Sequence, residues 1–374
     1  MLSRVANSLY WLSRYIERAD NTARLVDVNL QLLPDIRRLD DQTIAGLWMP
    51  IVQSTGDDAL FHSLHTDASG GDVTEFLVFE TANPNSIVSS INEARENARM
   101  VRDQLTVEFW EELNRLYLFL HSPAARRLWE HSPHEFFLEV KNSSLLLNGL
   151  ANATVVRNEG WSFMQAGCFL ERADKTSRIL DVRHATLPAR GAPARVSQED
   201  ALGLSAVLRS CSAWDAYKAL HGAEVQPAHV AEFLLLSDNF PRSVRFCVRA
   251  LDSALRHISG TAGDRFSNDA EKLAGRLLAE LSFSSADDIF AVGLHTYIDQ
   301  LQTRLNLIGD ALFQTYIFQH FHTLDDNQLR QQEEQQQQQA AEPIAAAGAR
   351  SRCTLRALAA QGRASRPDEP PQSP

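Results

Sequence analysis

The residues of this 374-residue chain best suited to chemistry are carboxylates and guanidinium groups packed into one short segment that occurs twice. Glu17-Arg18-Ala19-Asp20-Asn21-Thr22-Ala23-Arg24-Leu25-Val26-Asp27-Val28 returns 154 residues later as Glu171-Arg172-Ala173-Asp174-Lys175-Thr176-Ser177-Arg178-Ile179-Leu180-Asp181-Val182, with eight of twelve positions identical. On a helix Glu17, Asp20, Arg24 and Asp27 share one face, opposite the apolar stripe, with Arg14 and Asn21 at the stripe's edge. Such a face has two uses beyond ordinary solvation. Arginine meets carboxylates bidentately, so a desolvated cluster can fix the register of packed helices. Alternatively Arg18, Arg24, Arg172 and Arg178 serve as forks for a carboxylate or phosphate ligand, with Glu17 or Glu171 as acid/base. A merely solvated face would exchange Glu for Asp or Arg for Lys freely. Here the charged positions and the threonine keep their identity in register while the apolar ones move among Leu, Ile and Val. The pattern therefore predicts a partly buried network at the junction of the copies, made of Glu17, Arg18, Asp20, Arg24, Asp27, Glu171, Arg172, Asp174, Arg178 and Asp181. Arg24 and Arg178 are its expected hubs. The structural use is preferred, and the binding-site use stays open.

Secondary candidates are fewer. Arg95, Glu96, Asn97 and Arg99 form another dense charged stretch, read as a helix surface on which Arg99 and Asp103 can pair. Arg242 and Ser243 follow a proline, and His65 has an echo in His221 at an offset of 156 residues. Histidine pairs such as His131 and His134 have ligand-like spacing but no carboxylate or cysteine beside them, and the chain contains no Glu-x-x-His, so no metal is assigned. Glycine-rich phosphate loops and the G-x-S-x-G elbow are missing too, so no cofactor is assigned. Cys168, Cys211, Cys247 and Cys353 lie far apart, which fits reduced thiols, and Cys168 sits in an apolar context that suits a core. Trp11, Trp48, Trp110, Trp161 and Trp214 are expected to anchor the core.

Helices must position all of this. Leu12, Ile16, Ala19, Ala23, Val26 and Leu30 recur at helical spacing, as do Ile87, Ile91, Ala94, Ala98, Val101 and Leu105, and the residues from Trp161 to Val182. Asn83-Pro84 and Asp238 to Pro241 suggest helix starts, and Val73 to Phe79 suits a short strand or a short buried helix. A second repeated block, Val73-Thr74-Glu75-Phe76-Leu77 through Pro84-Asn85-Ser86-Ile87, returns 157 residues later as Val230-Ala231-Glu232-Phe233-Leu234 through Pro241-Arg242-Ser243-Val244. The expected architecture is all-α, an internally duplicated helical bundle of two repeats of about 155 residues, 1–158 and 159–325, followed by a tail, 326–374. Leu187 to Arg195 should be a loop, with a helix starting at Ser197. Gln331 to Gln339 is almost all Gln and Glu and no aromatic follows Phe321, so the tail should be disordered.

Charge narrows the function classes. The net charge is −11, and the six arginines and five acids from Gln328 onward leave the body near −12. A body that acidic repels phosphate backbones and anionic lipid, so neither nucleic acid nor membrane is an expected partner. Arg4, Arg14 and Glu17 interrupt what would have to be a leader's apolar region, which points to a cytoplasmic protein.

The Glu-Arg pairs within Tyr15-Ile16-Glu17-Arg18-Ala19-Asp20 and Phe169-Leu170-Glu171-Arg172-Ala173-Asp174, with Trp11, Ala94 to Arg99 and Phe240-Pro241-Arg242-Ser243, resemble the bacterial alpha-E family. The resemblance runs from Met1 to about Phe321. It implies a helical domain with a Glu-Arg motif, encoded beside or fused to circularly permuted ATP-grasp ligases and transglutaminase-like peptidases. Two functions follow as expectations. One is a non-catalytic partner or scaffold of such a ligase or peptidase. The other is an enzyme of peptide or amide-bond metabolism with the Glu-Arg helices as its site. A filled junction with paired charges favours the first, and a deep cleft with perturbed glutamates favours the second.

Overall fold

The computed structural model describes residues 1–36, 41–182 and 198–318, and places sixteen α-helices and no strand among them. In chain order they begin α1 (Ser3–Ile36), α2 (Asp41–Thr55), α3 (Asp58–Leu64), α4 (Gly70–Val78), α5 (Ile87–Met100), α6 (Val107–Leu120), α7 (Pro123–His131) and α8 (Pro133–Thr154). They continue α9 (Glu159–Asp181), α10 (Gln198–Ser210), α11 (Trp214–His221), α12 (Pro227–Leu236), α13 (Val244–Ser259), α14 (Asp269–Phe283), α15 (Ala286–Val292) and α16 (Leu294–Phe313). Met1–Ile317 is one compact unit; the second unit begins at Phe318, and beyond that residue it lies outside the described chain. So do the expected loop at Leu187 to Arg195, Ser197, Cys353 and the tail 326–374.

Local signals account for the element starts. Ser69, Ser86, Thr106, Ser122, Asn158, Ser243 and Asn268 each accept a hydrogen bond from the backbone N–H three residues on, satisfying a donor the first turn leaves open. The two proline signals are displaced by this chemistry. Pro84 and Pro241 sit in turns ahead of the helices, which start at Ile87 and Val244 because Ser86 and Ser243 supply the caps. Val73 to Val78 is helical, within α4.

Two long helices form the centre. α1 packs most extensively on α9, with α5 and α8 also against α1, and α13 and α16 also against α9. Leu12, Ala19, Ala23 and Val26 are fully buried, as the apolar spacing requires, but so is Glu17, and Asp20 and Asp27 are almost so. α1 is thus enclosed on nearly every side, and its charged face looks onto protein. Close approach of the two helices depends on Gly167, where a Cβ would overlap the Tyr10 carbonyl oxygen and lie 3.0 Å from its carbonyl carbon. Of the five tryptophans expected in the core, only Trp48 is fully buried. The others sit at its edge, where Arg14, Arg95, Arg157 and Arg209 lie over the rings of Trp11, Trp110, Trp161 and Trp214. No described helix is long and apolar enough to cross a membrane.

Candidate functional site

The repeated charged segments lie on α1 and α9 and face each other. Arg18 of α1 grips Glu171 of α9 bidentately, Nε to Oε1 at 2.7 Å and Nη2 to Oε2 at 3.1 Å. Reciprocally, Arg172 of α9 grips Glu17 of α1, Nε to Oε1 and Nη2 to Oε2, both at 2.8 Å. Each glutamate is therefore held by the arginine that follows the other glutamate in sequence. Further cations converge on this pair. Arg14 donates from Nε to Glu171 Oε2 at 2.7 Å, and Lys175 Nζ lies 4.0 Å from Glu171 Oε1. Arg242, in the turn before α13, donates to Glu17 at 3.1 Å, to Asn21 Oδ1 at 2.9 Å and to Asp20 Oδ2 at 2.6 Å. In the corresponding turn before α5, Asn85 accepts from Arg18 at 2.7 Å and donates to Asp57 at 2.8 Å.

Eight of the ten residues expected to form one network gather here, in layers. Glu17, Arg18, Glu171 and Arg172 are the centre. Asp20 with Arg24 and Asp174 with Arg178 are flanking pairs within one helix, and Arg24 also reaches Ser212 Oγ at 2.7 Å. Asp27 and Asp181 pair outside this group: Asp27 takes Lys141 Nζ at 2.6 Å and His134 Nδ1 at 2.9 Å, and Asp181, the last residue of α9, takes His295 Nδ1 at 2.9 Å. Arg24 and Arg178 are not the hubs. A helix keeps i,i+4 partners on its own surface, whereas the residues pointing across to the neighbouring helix are Arg18 and Arg172.

Burial sets the electrostatics. Both glutamates are 0 % exposed. Desolvation alone would raise the Glu17 carboxyl, but Arg172 and Arg242 outweigh it and bring the pKa down to about 2. Glu171 is likewise opposed by burial and drawn well below the carboxylate range by Arg18, Arg14 and Lys175. Lys175 is lowered, chiefly by burial, with Glu171 pulling the other way. Burial pushes the Cys168 thiol up; its Sγ stands 3.5 Å from Glu17 Oε2 and 3.4 Å from Arg172 Nη2. That thiol is neutral, and is a weak donor to the lattice.

The secondary candidates scatter, apart from Arg242. Ser243 is the cap of α13. Arg95 hydrogen-bonds Asn114 and Glu96, Arg99 takes Glu96 at 2.8 Å where Asp103 was expected, and Asn97 donates to the Glu93 carbonyl, so this is a helix surface. His65 stacks on Phe61 beside Asp72, and His221 stacks between Tyr217 and His229. Among the described residues no group of three or more His, Cys, Asp and Glu is placed to hold a metal ion. Asn85, Lys175 and Cys168 joined the lattice without having been singled out for it. The alignment of Asn85 with Arg242, and of Lys175 with Asn21, was the signal that could have found two of them.

A pocket of about 500 Å³ opens beside the lattice, between α1, α9 and α16, and Arg14 and Asp174 line it.

Uncharacterized proteins of Mycobacterium bovis and of two Mycobacterium tuberculosis strains are 25–26% identical over 336 residues, covering 84% of this chain and 37% of their own length. The chain thus spans little more than a third of the curated relatives it matches. No solved structure matches. A family profile described as a predicted alpha-helical domain with a conserved ER motif matches residues 1–317, and the reciprocal Glu17–Arg172 and Glu171–Arg18 pairs are what that motif builds here: the chain belongs to the Alpha-E family.

Proposed function

We propose that the chain is a non-catalytic helical module, the partner or scaffold of an ATP-grasp-type ligase or a transglutaminase-like peptidase, and that its Glu-Arg motif is the ion-pair seam holding α1 to α9. One observation carries this: Glu17 and Glu171 are fully buried, each met bidentately, and both carboxyls are held below their ordinary range. A general acid/base works best with a pKa near the operating pH. Glu17, near 2, stays ionised throughout neutral conditions, and the seam leaves its oxygens committed to guanidinium donors. Relatives nearly three times as long as their matched segment fit a module that works beside further polypeptide. We also propose that residues 1–158 and 159–325 are two copies of one ancestral repeat, since α5 packs on α1 as α13 packs on α9 and the caps Ser86 and Ser243 correspond.

The test has two arms. Affinity capture from the native host, scored for an ATP-grasp ligase or a transglutaminase-like peptidase, should enrich one of them with the chain and not with an unrelated helical protein of similar charge. Turnover of an amide substrate by the purified chain, lost in Glu17→Gln while the fold persists, would overturn the proposal in favour of an enzyme.

A further inference from the structure

Arg14 gives Glu171 one cation more than Glu17 receives. Glu171 is already gripped bidentately by Arg18 and faced by Lys175, which equals the two cations, Arg172 and Arg242, that serve Glu17. The position matched to Arg14 in the other copy, 154 residues on, is the neutral Cys168. Arg14 is therefore a third cation and the second guanidinium at Glu171, largely buried with its side chain 18% exposed. Glu171 and the Tyr10 hydroxyl, at 3.1 Å, take two of its five N–H donors, and no other acceptor reaches it among the described residues. A buried cation with spare donors needs an anion or water.

Arg14 lines the pocket between α1, α9 and α16, whose volume of about 500 Å³ is in the range of small-molecule sites. Apolar and aromatic surface forms much of the remaining wall, through Trp11, Leu170, Leu305 and Phe313. Two carboxylates also line it, and they differ. Asp174 is taken by Arg178 at 2.8 Å, while Asp310 is exposed on α16 and makes no ion pair among the described residues. One surplus guanidinium, one available carboxylate and an apolar wall within one small pocket are complementary to a molecule carrying a carboxylate, an ammonium and an apolar side chain.

We propose that this pocket binds a small zwitterion, an amino acid or dipeptide with an apolar side chain, its carboxylate on Arg14, its ammonium on Asp310 and its side chain against Trp11 and Leu305. This ligand site is independent of whether the chain docks a ligase or a peptidase.

Titration calorimetry on the full chain with phenylalanine, the dipeptide Leu-Phe, N-acetylphenylalanine and phenylalaninamide tests it. Saturable binding is expected for at least one of the two zwitterions, and removal of either charge should weaken it about tenfold or more. Asp310→Asn, an exposed change that leaves the core untouched, should weaken the zwitterion about tenfold yet leave N-acetylphenylalanine unchanged. Arg14→Gln should give the converse, weakening N-acetylphenylalanine and sparing phenylalaninamide, with thermal unfolding as the check on the fold. No saturation by either zwitterion up to about 10 mM, equal binding of the blocked compounds, or indifference to Asp310→Asn would each overturn the proposal.

Discussion

Removing Arg172 should damage the protein far more than removing Arg24, although both arginines belong to the repeated motif. Arg172 gives Glu17 two charge-assisted hydrogen bonds of 2.8 Å each, and Glu17 has no solvent exposure from which water could replace them. Hydrogen bonds to charged groups contribute about 1.5–3 kcal/mol each, so the gross loss is about 3–6 kcal/mol. Arg242, at 3.1 Å, stays behind and keeps the carboxylate partnered, which trims the upper end. We predict that Arg172→Ala costs about 3–5 kcal/mol, the range for breaking a buried pair from one side. Arg24 gives Asp20 a single bond of 2.9 Å, and Asp20 retains Arg242 at 2.6 Å. Arg24→Ala should therefore cost only about 2 kcal/mol, the share of one such bond.

A third variant separates the loss of a pair from the stranding of a charge. Glu17→Gln with Arg172→Met removes both partners at once, leaves Arg242 on Asp20, and should be less destabilised than Arg172→Ala alone. Urea unfolding at neutral pH, with the slopes compared to confirm that the denatured states match, reads all three. An Arg172→Ala cost within about 0.5 kcal/mol of zero, or an Arg24→Ala cost above that of Arg172→Ala, would refute the assignment of the seam.

Acid should act through the same residues: with the Glu17 pKa lowered from 4.5 to about 2, its contribution is complete above the unfolded value and disappears as pH falls through the folded one. Unfolding midpoints should drop between about pH 5 and pH 2 by the equivalent of about 3 kcal/mol for this group, and the slope should flatten in Glu17→Gln. Gly167→Ala, which in an ordinary helix interior would stabilise by about 0.5–1 kcal/mol, should instead destabilise by about 1–3 kcal/mol, because its Cβ meets the Tyr10 backbone; a rise in melting temperature would show that α1 and α9 can move apart freely. Lys175→Asn and Asn85→Arg should each destabilise, while the double variant should be better than the sum of the two by about 1 kcal/mol or more, and simple additivity in a double-mutant cycle would exclude their coupling.

What the sequence made legible was what periodicity and self-similarity encode. Apolar spacing located α1, α5 and α9 because each must bury a stripe, and the matched copies located the seam because drift had spared its charges. Partner choice was not legible to the same extent. Spacing along one helix presents Asp20 and Arg24 as natural partners, and they do pair, but it carries no information about what lies across a helix interface. The centre of the seam is made of inter-helix bonds between residues more than 150 positions apart, so the hubs were misplaced onto Arg24 and Arg178. The tryptophans went astray for a related reason: size marks a residue as apolar, but a neighbouring arginine stem and guanidinium can cover a ring at the rim as well as a core can.

The differences between the two halves of the seam say more about its physics than the identities do. Beside Glu17 the second cation comes from a turn, Arg242, and the helix supplies a neutral Asn21. Beside Glu171 the second cation comes from the helix, Lys175, and the matched turn supplies a neutral Asn85. The second cation has changed element, and its sign at each glutamate has been kept. A solvated face would place no such constraint, because water compensates a lost or gained charge within a few ångströms. A buried carboxylate does impose it, since each must be matched by local cations at whatever backbone position can deliver them. Arg14 breaks this balance by adding a cation where Cys168 adds none, and it does so at the one place where the seam borders the pocket between α1, α9 and α16. A surplus charge retained only where a cavity adjoins it fits a ligand's carboxylate better than a requirement of the fold.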